Sequence, residues 1–155
     1  MLFDNLAESS GNDFGAAIYI DDFGSVLGQN TIFRSNLISN PQDWFTVGRG
    51  GAVYVDKGAV LTLRDCLFED DGINNHCYNY GGAVYLADSS RLYANDTAFS
   101  DIYFGSGACE TRGGGVFVGN TDAIFVCTRC EFSRNEAGTA SGSQGGAVYV
   151  HLGNF

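Results

Sequence analysis

Hydrophobic and polar positions along this chain alternate in short blocks, and the blocks recur. Gly50-Gly51-Ala52-Val53-Tyr54-Val55 returns as Gly81-Gly82-Ala83-Val84-Tyr85-Leu86, as Gly113-Gly114-Gly115-Val116-Phe117-Val118 and as Gly145-Gly146-Ala147-Val148-Tyr149-Val150. An earlier copy is Gly15-Ala16-Ala17-Ile18-Tyr19-Ile20, and the copies are spaced by 35, 31, 32 and 32 residues. A second column is Phe3, Phe33, Phe68, Phe99 and Phe132. A third lies seven residues before each later Phe, at Val26, Leu61, Leu92 and Phe125. Self-similarity at a period of 20–50 residues is the mark of a repeat architecture.

Each unit contains three blocks that read as strands: the Gly-Gly-Ala-Val-Tyr-Val type, the Val60-Leu61-Thr62-Leu63 type and the block around the Phe. All are rich in β-branched and aromatic residues, and no window of helical period competes with them. The segment between each Phe and the next Gly-Gly varies in length, and its longest copy carries Pro41, Trp44 and Phe45. A constant scaffold with one variable loop is the behaviour of a solenoid. The pattern predicts an all-β, right-handed parallel β-helix of about five coils of 31–35 residues, with three strands per coil, over residues 1–155 as one segment. Coils about 4.8 Å apart stack like residues on like. The Phe column then forms an internal aromatic ladder, with Val53 and Val55 inward. Ala52 and Tyr54 point outward, so Tyr19, Tyr54, Tyr85, Phe117 and Tyr149 are expected as an outer aromatic stripe. The glycine pair marks a corner. A leucine-rich horseshoe lacks its leucine-and-asparagine consensus here, and no propeller-blade signature is present.

The pairing of Gly-Gly-Ala-aliphatic with Phe-x-x-Asn resembles the repeat of chlamydial polymorphic outer membrane proteins. More broadly it is similar to the pectin-lyase-like right-handed β-helix group. The first motif is intact at Gly50, Gly81 and Gly145. The second is intact at Phe33 to Asn36 and Phe132 to Asn135, and altered at Phe68 to Asp71 and Phe99 to Ile102. The resemblance implies surface-exposed passenger or adhesin-like material and carries over no catalytic residue, since fold and function are separable.

The chain has 155 residues, 8 Lys+Arg against 18 Asp+Glu and a net charge of −10. Nucleic acid and anionic membrane both require a basic footprint, so neither is expected as a partner. No apolar run approaches the roughly 20 residues of a membrane-spanning helix. Five cysteines are present. Cys77 and Cys109 each lie four residues before a Gly-Gly corner, on consecutive coils, which predicts a disulfide between them. Cys127 and Cys130 either form a local bond across a corner or remain buried thiols. Cys66 shares a column with Cys130 two coils away, too far to bridge. An inter-coil disulfide implies an oxidising compartment, hence an extracellular or cell-surface location. Asn95-Asp96-Thr97 is a glycosylation sequon, informative only in a eukaryotic source.

Polysaccharide hydrolases on this fold need two carboxylates facing one cleft. Asn120-Thr121-Asp122 matches one pectin-hydrolase triplet, but the Asp pair, Gly-His-Gly and Arg-Ile-Lys expected after it do not follow. Asp122 reads as a turn residue. Glu69, Asp70 and Asp71 form the densest acidic group, and they and Asp21-Asp22 are weak calcium candidates; no other cofactor is expected. His76 and His151 occupy different coil positions with no evident nucleophile beside them. No threonine column supports ice binding. The aromatic stripe could pack on sugar rings, or simply serve β-propensity. Bare strand edges at both ends predict a fragment of a longer β-helix or a stacking subunit, whose partners are flanking coils of the same or a neighbouring chain. The expected role is a non-catalytic structural or adhesive segment, with cell-surface glycans as candidate ligands. The alternative is a polysaccharide-active or carbohydrate-binding β-helix.

Overall fold

The computed structural model describes residues 2–3, 5–7, 13–40, 47–75, 78–105, 110–119, 121–138 and 142–152. All described elements are strands, and every strand pairing is parallel. The chain winds as a β-solenoid of about four turns. Each of the three anticipated columns forms its own sheet. The Phe sheet contains Leu2–Phe3, Ile32–Arg34, Leu67–Glu69, Ala98–Ser100 and Glu131–Ser133. The sheet before it, of five-residue strands, contains Ser25–Gln29, Val60–Arg64, Arg91–Asn95 and Ile124–Thr128. The sheet after the glycine corner contains Ile18–Ile20, Val53–Val55, Val84–Leu86, Val116–Val118 and Val148–Val150.

Three strands per coil is too few. The segment read as a variable loop supplies two more sheets. One is formed by Leu6–Ala7, Leu37–Asn40, Gly72–Asn75 and Tyr103–Phe104. The other is formed by Asp13–Phe14, Val47–Arg49, Tyr78–Tyr80 and Glu110–Arg112. These strands are two to four residues long. The first starts four residues after each Phe, at Leu37, Gly72 and Tyr103, and the second three residues before each corner glycine, at Val47, Tyr78 and Glu110; only the connection between the two varies in length.

Register puts like on like. Phe33 pairs with Phe3 on one side and Phe68 on the other, and Phe99 with Phe68 and Phe132. The rings stack with centroids 4.3 Å apart for Phe33–Phe68 and 4.9 Å for both Phe68–Phe99 and Phe99–Phe132. The Phe3 side chain lies outside the described residues. Val53, Val55, Leu61, Leu63, Phe68, Val84 and Leu92 are fully buried beside this ladder. Ala52 and Ala83, expected outside, belong to the same core. They lie in the bend before the strand, where side-chain alternation has not yet begun.

The two corner glycines do different work. The first sits at positive φ in every copy, for example 66° at Gly50 and 68° at Gly81, where a side chain is disfavoured. The second admits the neighbouring turn: a Cβ on Gly51 would lie 2.0 Å from the carbonyl oxygen of Gly82. Three further corners turn on other residues, which the sequence pattern did not disclose. Asn30, Asp65, Asp96 and Arg129 form one left-handed column (φ 48–52°), and Ser35, Asp70, Asp101 and Arg134 form a second (φ 52–56°). Phe23, Gly58, Ser89 and Asp122 form the third. Asn and Asp tolerate this region better than other L-residues. The backbone N–H groups of Asn30, Asp65 and Asp96 still donate to Arg64, Asn95 and Thr128 of the next turn, at 3.0–3.1 Å.

Polar side chains close these corners from inside. The Thr31 and Thr97 hydroxyls donate to the carbonyls two residues back, at 3.0 and 3.1 Å, and the Cys66 thiol does the same at 3.2 Å. The Asn of Phe-x-x-Asn has a matching role. The backbone N–H and the amide of Asn36 both donate to buried Asp71, at 2.9 and 2.8 Å. The Asn135 amide donates to Phe99 O and accepts from Ile102 N.

Phe68 stacks on both faces within the core, so Phe68→Ala leaves a cavity that neither neighbouring turn can fill. The expected loss is about 3–5 kcal/mol of unfolding free energy, read by urea denaturation. Tyr93→Ala on an exposed strand face should shift the same curve by less than about 1 kcal/mol.

Candidate functional site

The acidic residues fall into two arrangements. Glu69, Asp70 and Asp71 do not converge. Glu69 pairs with Arg34 at 2.6 Å on the outer face of the Phe sheet. Asp70 is exposed at the left-handed corner and accepts from the Ser35 hydroxyl at 3.2 Å. Asp71 turns inward to the Asn36 corner. Consecutive residues through a strand end and a corner point in three directions, so the three carboxylates meet three different partners. Asp21 and Asp22, by contrast, meet Asp56 of the next turn, with one carboxylate oxygen from each within 4.8 Å of the others. The sequence reading omitted Asp56; the parallel register that sets Ile20 beside Val55 would have supplied it. The Tyr19 hydroxyl donates to Asp56, and Lys57 follows directly in the chain. The residue types suit a hard cation, but three oxygens are fewer than the six to eight that calcium takes.

Two of the residues weighed for hydrolysis, Asp122 and His151, are described. Asp122 is an exposed turn residue with φ 61°. His151 stacks on Tyr149 with centroids 6.2 Å apart, and its backbone N–H donates to Val118 O. Asn120 and His76 lie outside the described residues.

Tyr19, Tyr54, Tyr85, Phe117 and Tyr149 form a continuous stack, with centroid spacings of 5.1, 5.2, 4.9 and 5.6 Å. It is not an outer stripe. Only Tyr19 is substantially exposed, while Tyr54 and Phe117 are buried. The short sheet before the glycine corner folds over the stack. The Phe14 ring meets Tyr54 edge-on at 4.9 Å, and Tyr80 meets Phe117 at 5.1 Å. The Arg49 guanidinium lies 5.4 Å from the Phe14 ring and 5.7 Å from that of Tyr85, and Arg112 lies 5.2 Å from that of Tyr149. The glycine corner is concave on its outer side, so outward side chains of two sheets meet there. A ring binds sugar through its face. In this stack each interior face is taken by the ring of the next turn, and Tyr19 at its end is half exposed.

These contacts alter tyrosine ionisation. The hydrogen bond to Asp56, with burial and the Asp56 charge behind it, pushes Tyr19 up to about 12. Burial and the nearby Glu110 carboxylate raise Tyr80 to about 12, its hydroxyl donating to Glu110 at 3.2 Å. Burial raises Tyr54 and Tyr85 as well.

Cys127 and Cys130 form a disulfide, with sulfurs 2.23 Å and Cα atoms 5.9 Å apart, across the corner between the five-residue sheet and the Phe sheet. Cys66 is a free, buried thiol. The predicted partners Cys77 and Cys109 lie outside the described residues. Asn95 is engaged in a surface network: its amide donates to Asp96 at 2.7 Å and its oxygen accepts from Arg129 at 3.0 Å. Arg129 and Arg134 pair at 2.5 Å with Asp96 and Asp101 of the preceding turn and hold both carboxyls below their usual range.

Two outcomes are expected. Tryptic cleavage after Arg129, under non-reducing conditions, should give two fragments that stay joined and separate only on reduction. Alkaline titration should show tyrosines ionising late. The unfolded chain loses phenolic protons near pH 10 while the folded chain retains those of Tyr19 and Tyr80 to about pH 12. Above pH 10 the folded state binds more protons, so stability should be full below that pH and fall between 10 and 12. Absorbance near 295 nm and circular dichroism on one titration read both effects.

Over 142 residues, 87% of this chain, the sequence is 25% identical to the protein described as probable autotransporter YfaL of Escherichia coli (strain K12). The match covers 10% of that protein, so the chain spans about a tenth of the relative's length. No family model matches the chain, and no solved structure matches it.

Proposed function

We propose that this chain is a non-catalytic segment of an extracellular or cell-surface β-solenoid, acting as a structural or adhesive rod of the passenger type. The observation that carries the reading is how side chains are used. The Phe ladder, the aromatic stack with its arginine cover and the Asp96–Arg129 and Asp101–Arg134 pairs all join one turn to the next. Such bonding rigidifies a rod along its axis and gathers few groups around a common point. The similarity to an autotransporter supports a surface location. The partners are further coils, of the same chain or of a neighbour, added in parallel at the sheet edges. Cell-surface glycans remain candidate ligands for loops rather than for the aromatic stack.

The second reading, a polysaccharide-active solenoid, draws on one observation, the grouping of Asp21, Asp22 and Asp56. One experiment separates the two. Acidic and neutral polysaccharides are incubated with the protein, with and without calcium, and assayed for new reducing ends and unsaturated products. No cleavage, together with rods in electron micrographs of undenatured material, is the expected result. Cleavage that Asp56→Asn abolishes would establish the enzyme instead.

A further inference from the structure

The chain has eight basic residues, and five have side-chain partners. Arg34, Arg112, Arg129 and Arg134 pair with Glu69, Glu110, Asp96 and Asp101. Arg49 lies over the Phe14 and Tyr85 rings. Lys57 is exposed and follows Asp56 of the acidic corner, to which its backbone N–H donates. Arg64 and Arg91 have no side-chain partner among the described residues. Both are exposed, and both project from the outer face of one sheet, on the adjacent strands Val60–Arg64 and Arg91–Asn95.

That face has a particular composition. Its central row runs Leu27, Thr62, Tyr93, Val126 across four strands. Leu27, Tyr93 and Val126 are 59%, 39% and 44% exposed, three uncovered hydrophobic side chains in a row that Thr62 interrupts. An open groove of about 470 Å³ lies beside it, between Thr62, Arg64, Tyr93, Asn95, Val126 and Thr128. Arg64 and Arg91 stand on opposite sides of the apolar row. Their register places them four residues apart along the strand, hence about 13 Å. An apolar centre with tyrosine, bordered by arginine, is the composition of a protein interface and of its strongest contacts.

We propose that this face docks an acidic protein partner, one that presents two carboxylates about 13 Å apart on either side of an apolar centre. Charge decides the sign: two arginines without partners on a chain of net charge −10 complement acids and nothing else. The apolar row decides the class: a protein partner brings branched aliphatic side chains that cover Leu27 and Val126 more fully than the C–H faces of sugar rings do. The inference rests on the scaffold reading and names the class of partner such a rod would hold.

The probe is a fluorescent peptide of three Glu-Ser-Leu-Ser repeats. In an extended chain its alternate side chains present Glu, Leu and Glu on one face, with the glutamates about 13 Å apart. Anisotropy titration of the 155-residue protein should show saturable binding that weakens with added salt. The double variant Arg64→Glu/Arg91→Glu should lose at least tenfold in affinity, and Tyr93→Ala should weaken binding with an unchanged thermal melt. Arg34→Glu, on a different sheet, should bind as the wild type does. No binding at millimolar peptide, or equal binding by the double variant, would overturn the proposal. So would a heparin oligosaccharide that binds this face when the peptide does not. Self-association that the double variant abolishes would overturn it too, in favour of a second copy. None of these outcomes bears on polysaccharide cleavage or on the rods, so the scaffold reading stands or falls separately.

Discussion

Every feature of this molecule depends on parallel in-register pairing between turns. With a rise of about 4.8 Å per turn, a residue's nearest neighbour outside its own strand is the residue one repeat away. Side chains must therefore be compatible with copies of themselves. Aromatic rings satisfy that condition by stacking, which is why Phe68 and Phe99 lie 4.9 Å apart at 12°. Aliphatic chains satisfy it by packing. Carboxylates do not, and their columns show how the conflict is resolved. Asp65–Asp96 and Asp70–Asp101 are acidic in consecutive turns, and the next turn substitutes Arg129 and Arg134, which bond back to Asp96 and Asp101. Exposed pairs of this kind contribute modestly to stability, but they relieve repulsion where the register permits no other remedy.

The three long-period columns were legible because burial constrains them twice, by face and by neighbour. Phe33, Phe68 and Phe99 could not drift without opening the core, so their spacing survives in the sequence. The two extra sheets were hidden because their columns do not repeat in residue type. Leu37, Gly72 and Tyr103 share one register position and Val47, Tyr78 and Glu110 another, and such brief strands of unlike residues carry no visible motif even at a fixed spacing. The left-handed corners were visible in part. Asn30, Asp65 and Asp96 form a column of the residue types that tolerate positive φ, yet Arg129 and Phe23 adopt the same conformation with no such preference. At Phe23 the backbone N–H bonds to Lys57 O of the neighbouring turn, so the ladder holds the left-handed conformation whatever the side chain.

The candidate residues were harder to place because their surroundings depend on corner geometry. An alternating pattern correctly puts Tyr54 on the outer side of its strand but cannot show that the preceding sheet bends over it. Phe14 and Arg49 cover the stack because the corners that follow them, at Gly15 and Gly50, turn the chain sharply enough to bring two outer faces together. Similarly, Glu69, Asp70 and Asp71 look like one acidic group in sequence and become three separate environments across a corner. Asp56 joins Asp21 and Asp22 only through the register.

The second glycine of each corner has a consequence for how such a chain changes over evolutionary time. At Gly51 and Gly82 successive turns touch through bare backbone, leaving a seam with no side chain to match. A segment one repeat long can be duplicated or excised at that seam. The new junction then presents the same backbone groups at the same spacing. The rod can lengthen or shorten by whole turns through unequal recombination between its own repeats, while insertions of any other length are confined to the loops.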